Sequence, residues 1–321
     1  MGHVSLDVVV LAVIAGLFAV VSGMNDGGAL LATGVKLPTI RPVTGIAVLV
    51  VLVAAMPLVT DKVALTFVTR LASFEAPGGR TAMAVAVVAA LVVVTVLSMT
   101  GRPTSLTLAV VGGMTGAGMG WGLPVSYRSV AQVLAFGVAA PIVGGLLGWG
   151  AIRLLTATTT AAGLWRPHWA GFLLQGVAYA VNDAQKMLAI FMVALGFTEA
   201  RPAFTTLAAV LFGLGAMYGL PRAGRLLDRE LIASRPPHGV AAEWSAAGAV
   251  LGCTAAGMPV SMSQTIAGGL IGAGVGYASG KVRWYAATRI AAAWLLTLPG
   301  SALLGWCLAL LVKGLAGLDV T

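Results

Sequence analysis

Long apolar runs near 5–24, 42–60, 81–100, 130–152, 170–197, 203–220, 241–258 and 285–313 set the pattern of this chain. A helix needs about 20 apolar residues to cross a ~30 Å hydrocarbon layer, so the pattern predicts a bundle of membrane-spanning helices. Two features break it. Asn25-Asp26 and Asn182-Asp183 place an amide and a carboxylate inside apolar spans. Two further segments, "RPTSLTLAVVGGMTGAGMG" from Arg102 and "MPVSMSQTIAGGLIGAGVG" from Met258, start on a proline, are rich in Ser/Thr and then in glycine. They are predicted as re-entrant hairpins, because irregular backbone survives at membrane depth only against protein or a cavity.

These interruptions repeat. Asn25-Asp26 recurs at Asn182-Asp183 with an offset of 157, and the hairpin segment recurs with an offset of 156. Pro103 matches Pro259, Ser105 matches Ser261, and Gly116 matches Gly272. The chain therefore divides into two homologous halves, residues 1–160 and 161–321. Duplication of this kind is common in transporters, whose substrate sites lie where the halves meet. The predicted fold is an all-α polytopic membrane protein of two inverted-topology repeats, with discontinuous helices and re-entrant hairpins.

Composition agrees. Of 321 residues, 59% are hydrophobic and only 9% charged, against about 25% charged in soluble domains, and the mean hydropathy is +0.98. The 43 glycines suit close helix packing in lipid. The net charge of +9 reads as basic loops on one side of a membrane, not as a nucleic-acid surface; the Arg-rich connector 220–239 is placed in the cytoplasm on that basis. The first 24 residues read as a first span and not as a signal peptide. Cys253 and Cys307 lie in apolar runs and read as inert buried thiols.

An ionised aspartate in hydrocarbon costs about 2.5–3.5 kcal/mol or more, so Asp26 and Asp183 need a cation, a proton or a base. With Asn25 and Asn182 they supply the oxygen ligands that hard cations prefer. Ser105 and Ser261 sit where short helices begin, and helix starts with free N–H groups suit an oxyanion. Thr104, Thr107, Ser263 and Gln264 extend this cradle. Lys186 shares a helical face with Asp183; it either neutralises that carboxylate or reaches the anion. Glu243 reads as a carboxylate at a helix start. Histidines 3, 168 and 238 fall near predicted loops, and no catalytic motif is present, so the chain is not expected to be an enzyme.

At these residues the sequence resembles the inorganic phosphate transporter (PiT) family, which carries a duplicated G-x-N-D motif and a duplicated P-x-S-x-[ST]-H-x-x-x-G-[GA] motif. Here they stand as "GMND" (23–26), "AVNDAQK" (180–186), "PTSLTLAVVGG" (103–113) and "PVSMSQTIAGG" (259–269). The resemblance implies a secondary transporter that moves phosphate with sodium or a proton. It also implies a homodimer in the plasma membrane, with no cofactor beyond the coupling ion. Asn25, Asp26, Asn182 and Asp183 would serve cation and phosphate, and Ser105, Thr107, Ser261 and Ser263 would hold phosphate oxygens or sodium. Two departures stand out. Leu108 and Gln264 occupy the motif histidine positions, and Asp26 is followed by Gly27, Gly28 and Ala29 instead of a further Asn. A sulfate or related oxyanion permease, and a non-transporting sensor or partner paralogue, are the alternative readings.

Overall fold

The computed structural model describes residues 6–34, 36–60, 62–71, 74, 76–99, 104–197, 199–278 and 282–315. His3 and Pro103, both singled out above, lie outside these residues. Among the described residues the regular structure is helical, with an isolated antiparallel bridge between Ile232 and Val282. In the first half, α1 (Leu6–Ser22) passes through a π-helical turn (Gly23–Gly27) into α2 (Gly28–Ala32). There follow α3 (Pro42–Ala55), α4 (Lys62–Leu65), α5 (Gly79–Met99), α6 (Leu106–Trp121) and α7 (Tyr127–Thr158). In the second half, α8 (Trp165–Tyr179) passes through a π turn (Ala180–Ala184) into α9 (Gln185–Leu195), followed by α10 (Pro202–Arg225), α11 (Pro236–Ala255), α12 (Met262–Ala278) and α13 (Trp284–Leu315).

Local chemistry sets several boundaries. Pro42 and Pro202 open α3 and α10 after an extended Arg41 and Arg201, where a missing N–H costs nothing. The Ser105 hydroxyl accepts from Leu108 N at 3.2 Å and so caps α6. Gly122, in the left-handed region at φ 79°, ends that helix, a conformation glycine adopts without steric penalty.

Among the described residues, five helices are long and apolar enough to cross a membrane, and a sixth span arises if the bent pair Pro42–Leu58 and Lys62–Val68 is one. The chain is a multi-pass membrane protein. The predicted runs at 170–197 and 241–258 are not among the five. The first is divided by its polar π turn, and α11 opens on Pro-Pro-His and carries a glutamate. Val138, Ile142 and Leu146 on α7, and Leu295 and Leu303 on α13, are exposed, as befits an outer face that meets lipid. Both cysteines are free, and Cys307 is exposed on that face instead of buried.

Two expectations change in detail. Each Ser/Thr-Gly segment forms one helix, α6 or α12, and the hairpin is completed by packing against the preceding α5 or α11. The Asn-Asp positions do not break their helices either. Backbone angles stay helical on both sides, and the turn widens to π geometry, a device often found at functional sites.

The halves interlock by exchange. Helix α6 packs along α13, and α12 packs along α7. Glycines make the crossings possible: a Cβ on Gly116 would lie 1.8 Å from the Ala302 carbonyl oxygen, and one on Gly272 would lie 1.8 Å from that of Gly145. The Ser301 hydroxyl donates across the first crossing to Ala109 O at 2.6 Å. Interhelical hydrogen bonds in membranes average about 0.6 kcal/mol. Ser301→Ala should therefore lower the thermal midpoint in detergent only slightly, which a fluorescence melt can read.

Candidate functional site

The two π turns present the same local pair. Asn25 Nδ2 donates to Asp26 Oδ1 at 2.8 Å, and Asn182 Nδ2 donates to Asp183 Oδ2 at 2.8 Å. The carboxylates are 2% and 5% exposed. They lie within electrostatic reach of each other and of Lys186. The duplicated motif thus converges on one buried cluster.

Three groups fasten around the extended residues before α12. Val260 O accepts from Asn182 Nδ2 at 2.7 Å, from Lys186 Nζ at 2.7 Å and from Thr107 Oγ1 at 3.1 Å. In return Val260 N donates to Asn182 Oδ1 at 3.3 Å. Lys186 also donates to Thr107 Oγ1 at 2.6 Å and to Asp183 Oδ1. Its ammonium is therefore surrounded by a carboxylate, a hydroxyl and a carbonyl, and it is only 3% exposed. That oxygen set is of the kind that binds a hard metal cation. Of the two roles open to Lys186, the structure forms the ion pair.

The first half lacks this arrangement. Asp26 accepts from Asn25 and from the Ser263 hydroxyl. Among the described residues no basic side chain lies within ion-pair distance of Asp26. Three residues after it stands Ala29, where the second half has Lys186. Ser263 in turn shares a 3.1 Å contact with the Ser261 hydroxyl. Asn25 and Ser263 are only half-buried, whereas Asn182, Asp183 and Lys186 are buried.

Three predicted site residues are used elsewhere. Thr104 pairs with Thr297 at 2.6 Å, tying the start of α6 to α13. The Ser105 hydroxyl is engaged as the cap of α6. Gln264 faces an apolar cavity of about 880 Å³ bounded by Pro141, Trp149, Trp294 and Pro299, and Leu108 lines the same cavity. Both motif-histidine positions thus turn toward that cavity, one helical step away from the hydroxyls that meet the cluster.

Other participants escaped sequence reasoning. Tyr179 is fully buried against Phe212, with ring centroids 5.1 Å apart. Its hydroxyl has no hydrogen-bond partner yet lies within electrostatic reach of both carboxylates. One turn before it, Gln175 is fully buried with both amide atoms unpartnered. Their spacing of four from each other, and then to Asp183, is the only signal the chain carries for them. Gln185 plays a structural part, since its Oε1 accepts from Val63 N at 2.7 Å and Ala64 N at 3.1 Å, satisfying the free N–H groups at the start of α4. His168, near the start of α8, is buried at 1% exposure, with Glu243 3.0 Å from its Nδ1.

The comparisons with known proteins come from both sequence and fold. The Phosphate transporter family matches residues 167–305. A "Probable low-affinity inorganic phosphate transporter" of Mycobacterium tuberculosis (strain ATCC 25618 / H37Rv) is 32% identical over 224 residues, which is 64% of this chain and 54% of that protein. One of the same description from Bacillus subtilis (strain 168) is 25% identical over 305 residues, covering 90% of this chain and 92% of that protein. The chain spans about half the length of the mycobacterial relatives it matches. A solved structure described as "The sodium-dependent phosphate transporter" superposes with a TM-score of 0.83 over 96% of this chain and 99% of that one, at 15% identity. The two share a fold.

Proposed function

We propose that this chain moves inorganic phosphate across the plasma membrane by symport with a cation, as a member of the phosphate transporter family whose model matches residues 167–305. The observation that carries this reading is the charge of the buried cluster. Two carboxylates face one ammonium, so with both ionised one negative charge is left over. A phosphate monoanion about 6 Å away, at an effective dielectric of ~20, would be repelled by about 3 kcal/mol, roughly a hundredfold in affinity. A cation bound at Asp26 removes that repulsion. Anion entry therefore requires the cation, which is the thermodynamic content of symport.

Lys186 serves Asp183 as a resident cation, so the exchangeable one goes to Asp26, with Asn25 and Ser263 as further oxygen donors. Thr107, Ser261, Asn182 and Tyr179 supply neutral groups for phosphate oxygens. A protonated phosphate also offers hydrogens to carboxylates, which sulfate cannot at neutral pH. The halves 1–160 and 161–321 act as inverted repeats that expose the cluster to each side in turn, in a homodimer.

Phosphate uptake into proteoliposomes, with sodium and proton gradients imposed separately, tests this reading. An inward gradient of the coupling cation should speed uptake about tenfold or more, and Asp26→Asn should abolish that dependence. Uptake indifferent to every cation gradient, or strongly inhibited by sulfate, would overturn it.

A further inference from the structure

Thr33, His168 and Glu243 meet outside the carboxylate cluster, at the place where α2 ends against α8 and α11. Glu243 Oε2 lies 3.0 Å from His168 Nδ1, and Glu243 Oε1 lies 3.0 Å from the Thr33 hydroxyl. The same hydroxyl is 2.8 Å from Leu30 O. Glu243 is fully buried, His168 is 1% exposed and Thr33 8%. His168 Nε2 is buried without a hydrogen-bond partner. The ring packs so closely on the turn after α2 that a Cβ on Gly34 would sit 2.3 Å from its Cε1.

The protons in this cluster do not match its acceptors. Thr33 has one hydroxyl hydrogen and two oxygen neighbours that accept. If that hydrogen serves Leu30 O, the contact with Glu243 needs a proton on the carboxyl. If Glu243 is ionised, the hydrogen turns to it and leaves Leu30 O. The electrically neutral form of the pair holds one dissociable proton, on the carboxyl or on the imidazole. A buried site disfavours losing it, since an unpaired carboxylate would remain.

Few other charges bear on the pair. From α8 there is Arg166, whose guanidinium lies over the Trp165 ring at 5.1 Å, and beyond it Asp183. From α11 there is His238, whose Nδ1 accepts from Arg235 N at 2.9 Å. Helix α7, which packs on α11, carries Tyr127, Arg128 and Arg153, the last lying over the Trp149 ring at 4.1 Å. Helix α12 brings only Tyr277, which accepts from Arg235, and α3 has no titratable residue. Helices α8 and α11 also carry Tyr179 and Cys253. Helix α10, which packs on α2, carries Tyr218, Arg222 and Arg225, with the Arg222 guanidinium over the Tyr218 ring at 5.5 Å. Beyond the end of α2, Lys36 donates to Ser234 O at 2.6 Å.

The duplication does not extend to this cluster. At the repeat offset, Thr33 corresponds to Ala189 or Ile190, His168 to Leu11 or Ala12, and Glu243 to Ala86 or Val87. All are apolar. The cluster therefore has no counterpart at the repeat-related positions. Thr33 is also two helical turns beyond Asp26, about 10 Å along the axis, on the helix that carries the cation site.

We infer that Thr33, His168 and Glu243 form a proton-binding site, separate from the Asp26–Asp183 cluster, whose protonation adds the Thr33–Leu30 hydrogen bond to the Thr33–Glu243 link at the end of the Asp26 helix. Its consequence for uptake rests on the transport reading; proton binding itself does not.

Two measurements on the purified full chain separate these. The first is thermal stability in detergent across pH, together with infrared difference spectra of the carboxylic acid carbonyl on a pH jump. Wild type and Asp26→Asn should both show a one-proton transition that Glu243→Gln lacks and His168→Gln displaces. Thr33→Val, the mildest variant, should shift it while leaving the fold intact. The second is phosphate uptake across pH in proteoliposomes, where Glu243→Gln should flatten the profile about threefold between about pH 5.5 and about pH 8. A transition unchanged in Glu243→Gln, His168→Gln and Thr33→Val would overturn the proton site. A transition present in a protein that moves no phosphate would leave the proton site standing and overturn the transport reading instead.

Discussion

Lys186→Met should destabilise the purified protein by about 3–5 kcal/mol, the usual result of stranding one partner of a buried ion pair. Asp183 is 5% exposed and its remaining partner is the Asn182 amide. The variant also removes the donors that Lys186 gives to Thr107 and to the Val260 carbonyl, leaving α6 and the start of α12 joined there only by the direct Thr107–Val260 hydrogen bond. Two outcomes distinguish a resident cation from an ordinary packing residue. The thermal midpoint of Lys186→Met should rise with the concentration of the coupling cation, because an ion can enter the vacated oxygen set and bind only the folded state. The double variant Lys186→Met/Asp183→Asn should recover most of the lost stability without that ion dependence. A single variant that melts within about 1 kcal/mol of wild type would show that Lys186 is not what compensates Asp183.

Gly116→Leu and Gly272→Leu should prevent assembly of a folded protein. At each position the obstacle to a Cβ is a backbone carbonyl oxygen at 1.8 Å, and no rotamer change can move a backbone. The helices would have to separate along the whole α6–α13 or α12–α7 crossing, for a cost above about 3 kcal/mol. Gly150 and Gly300 provide controls on the partner helices α7 and α13, since a Cβ there meets nothing within 4 Å. Gly150→Ala and Gly300→Ala should be neutral or stabilising by up to about 1 kcal/mol. The monodisperse yield on size exclusion after expression reads all four. Equal yields from the leucine and alanine variants would mean that the two crossings do not hold the halves together.

Much of the site was legible because duplication made it so. A single Asn-Asp pair in an apolar span has several structural explanations, but Asn25-Asp26 and Asn182-Asp183 at one offset point to a shared role, and the structure brings them together. Thr107 and Ser263 were legible for the same reason. Thr104, Ser105 and Gln264 show the limit of that signal. Adjacent positions on a helix face directions about 100° apart, so a motif read as a string does not say which of its members turns inward. Lys186 was undecided for a related reason: its spacing from Asp183 allowed the contact, while only the placement of Val260 and Thr107 completed it.

Residues without a repeat partner were the least legible. Thr33 and Glu243 are separated by 210 positions, and His168 reads only as a residue near a loop until Glu243 is seen beside it. Tyr179 looks like one more aromatic in an apolar run. What the sequence determined by itself is the class of the molecule, its helices, its duplication and the polar motifs, because hydrophobicity, period and recurrence are properties of the chain alone. Only the tertiary structure decided that the hairpin helices exchange between halves, that among the described residues Asp183 is paired with a basic side chain while Asp26 is not, and that Thr33, His168 and Glu243 meet. Each of these depends on which backbone carbonyls and side chains become neighbours after close packing, and that is set by helix crossings between residues far apart in the chain.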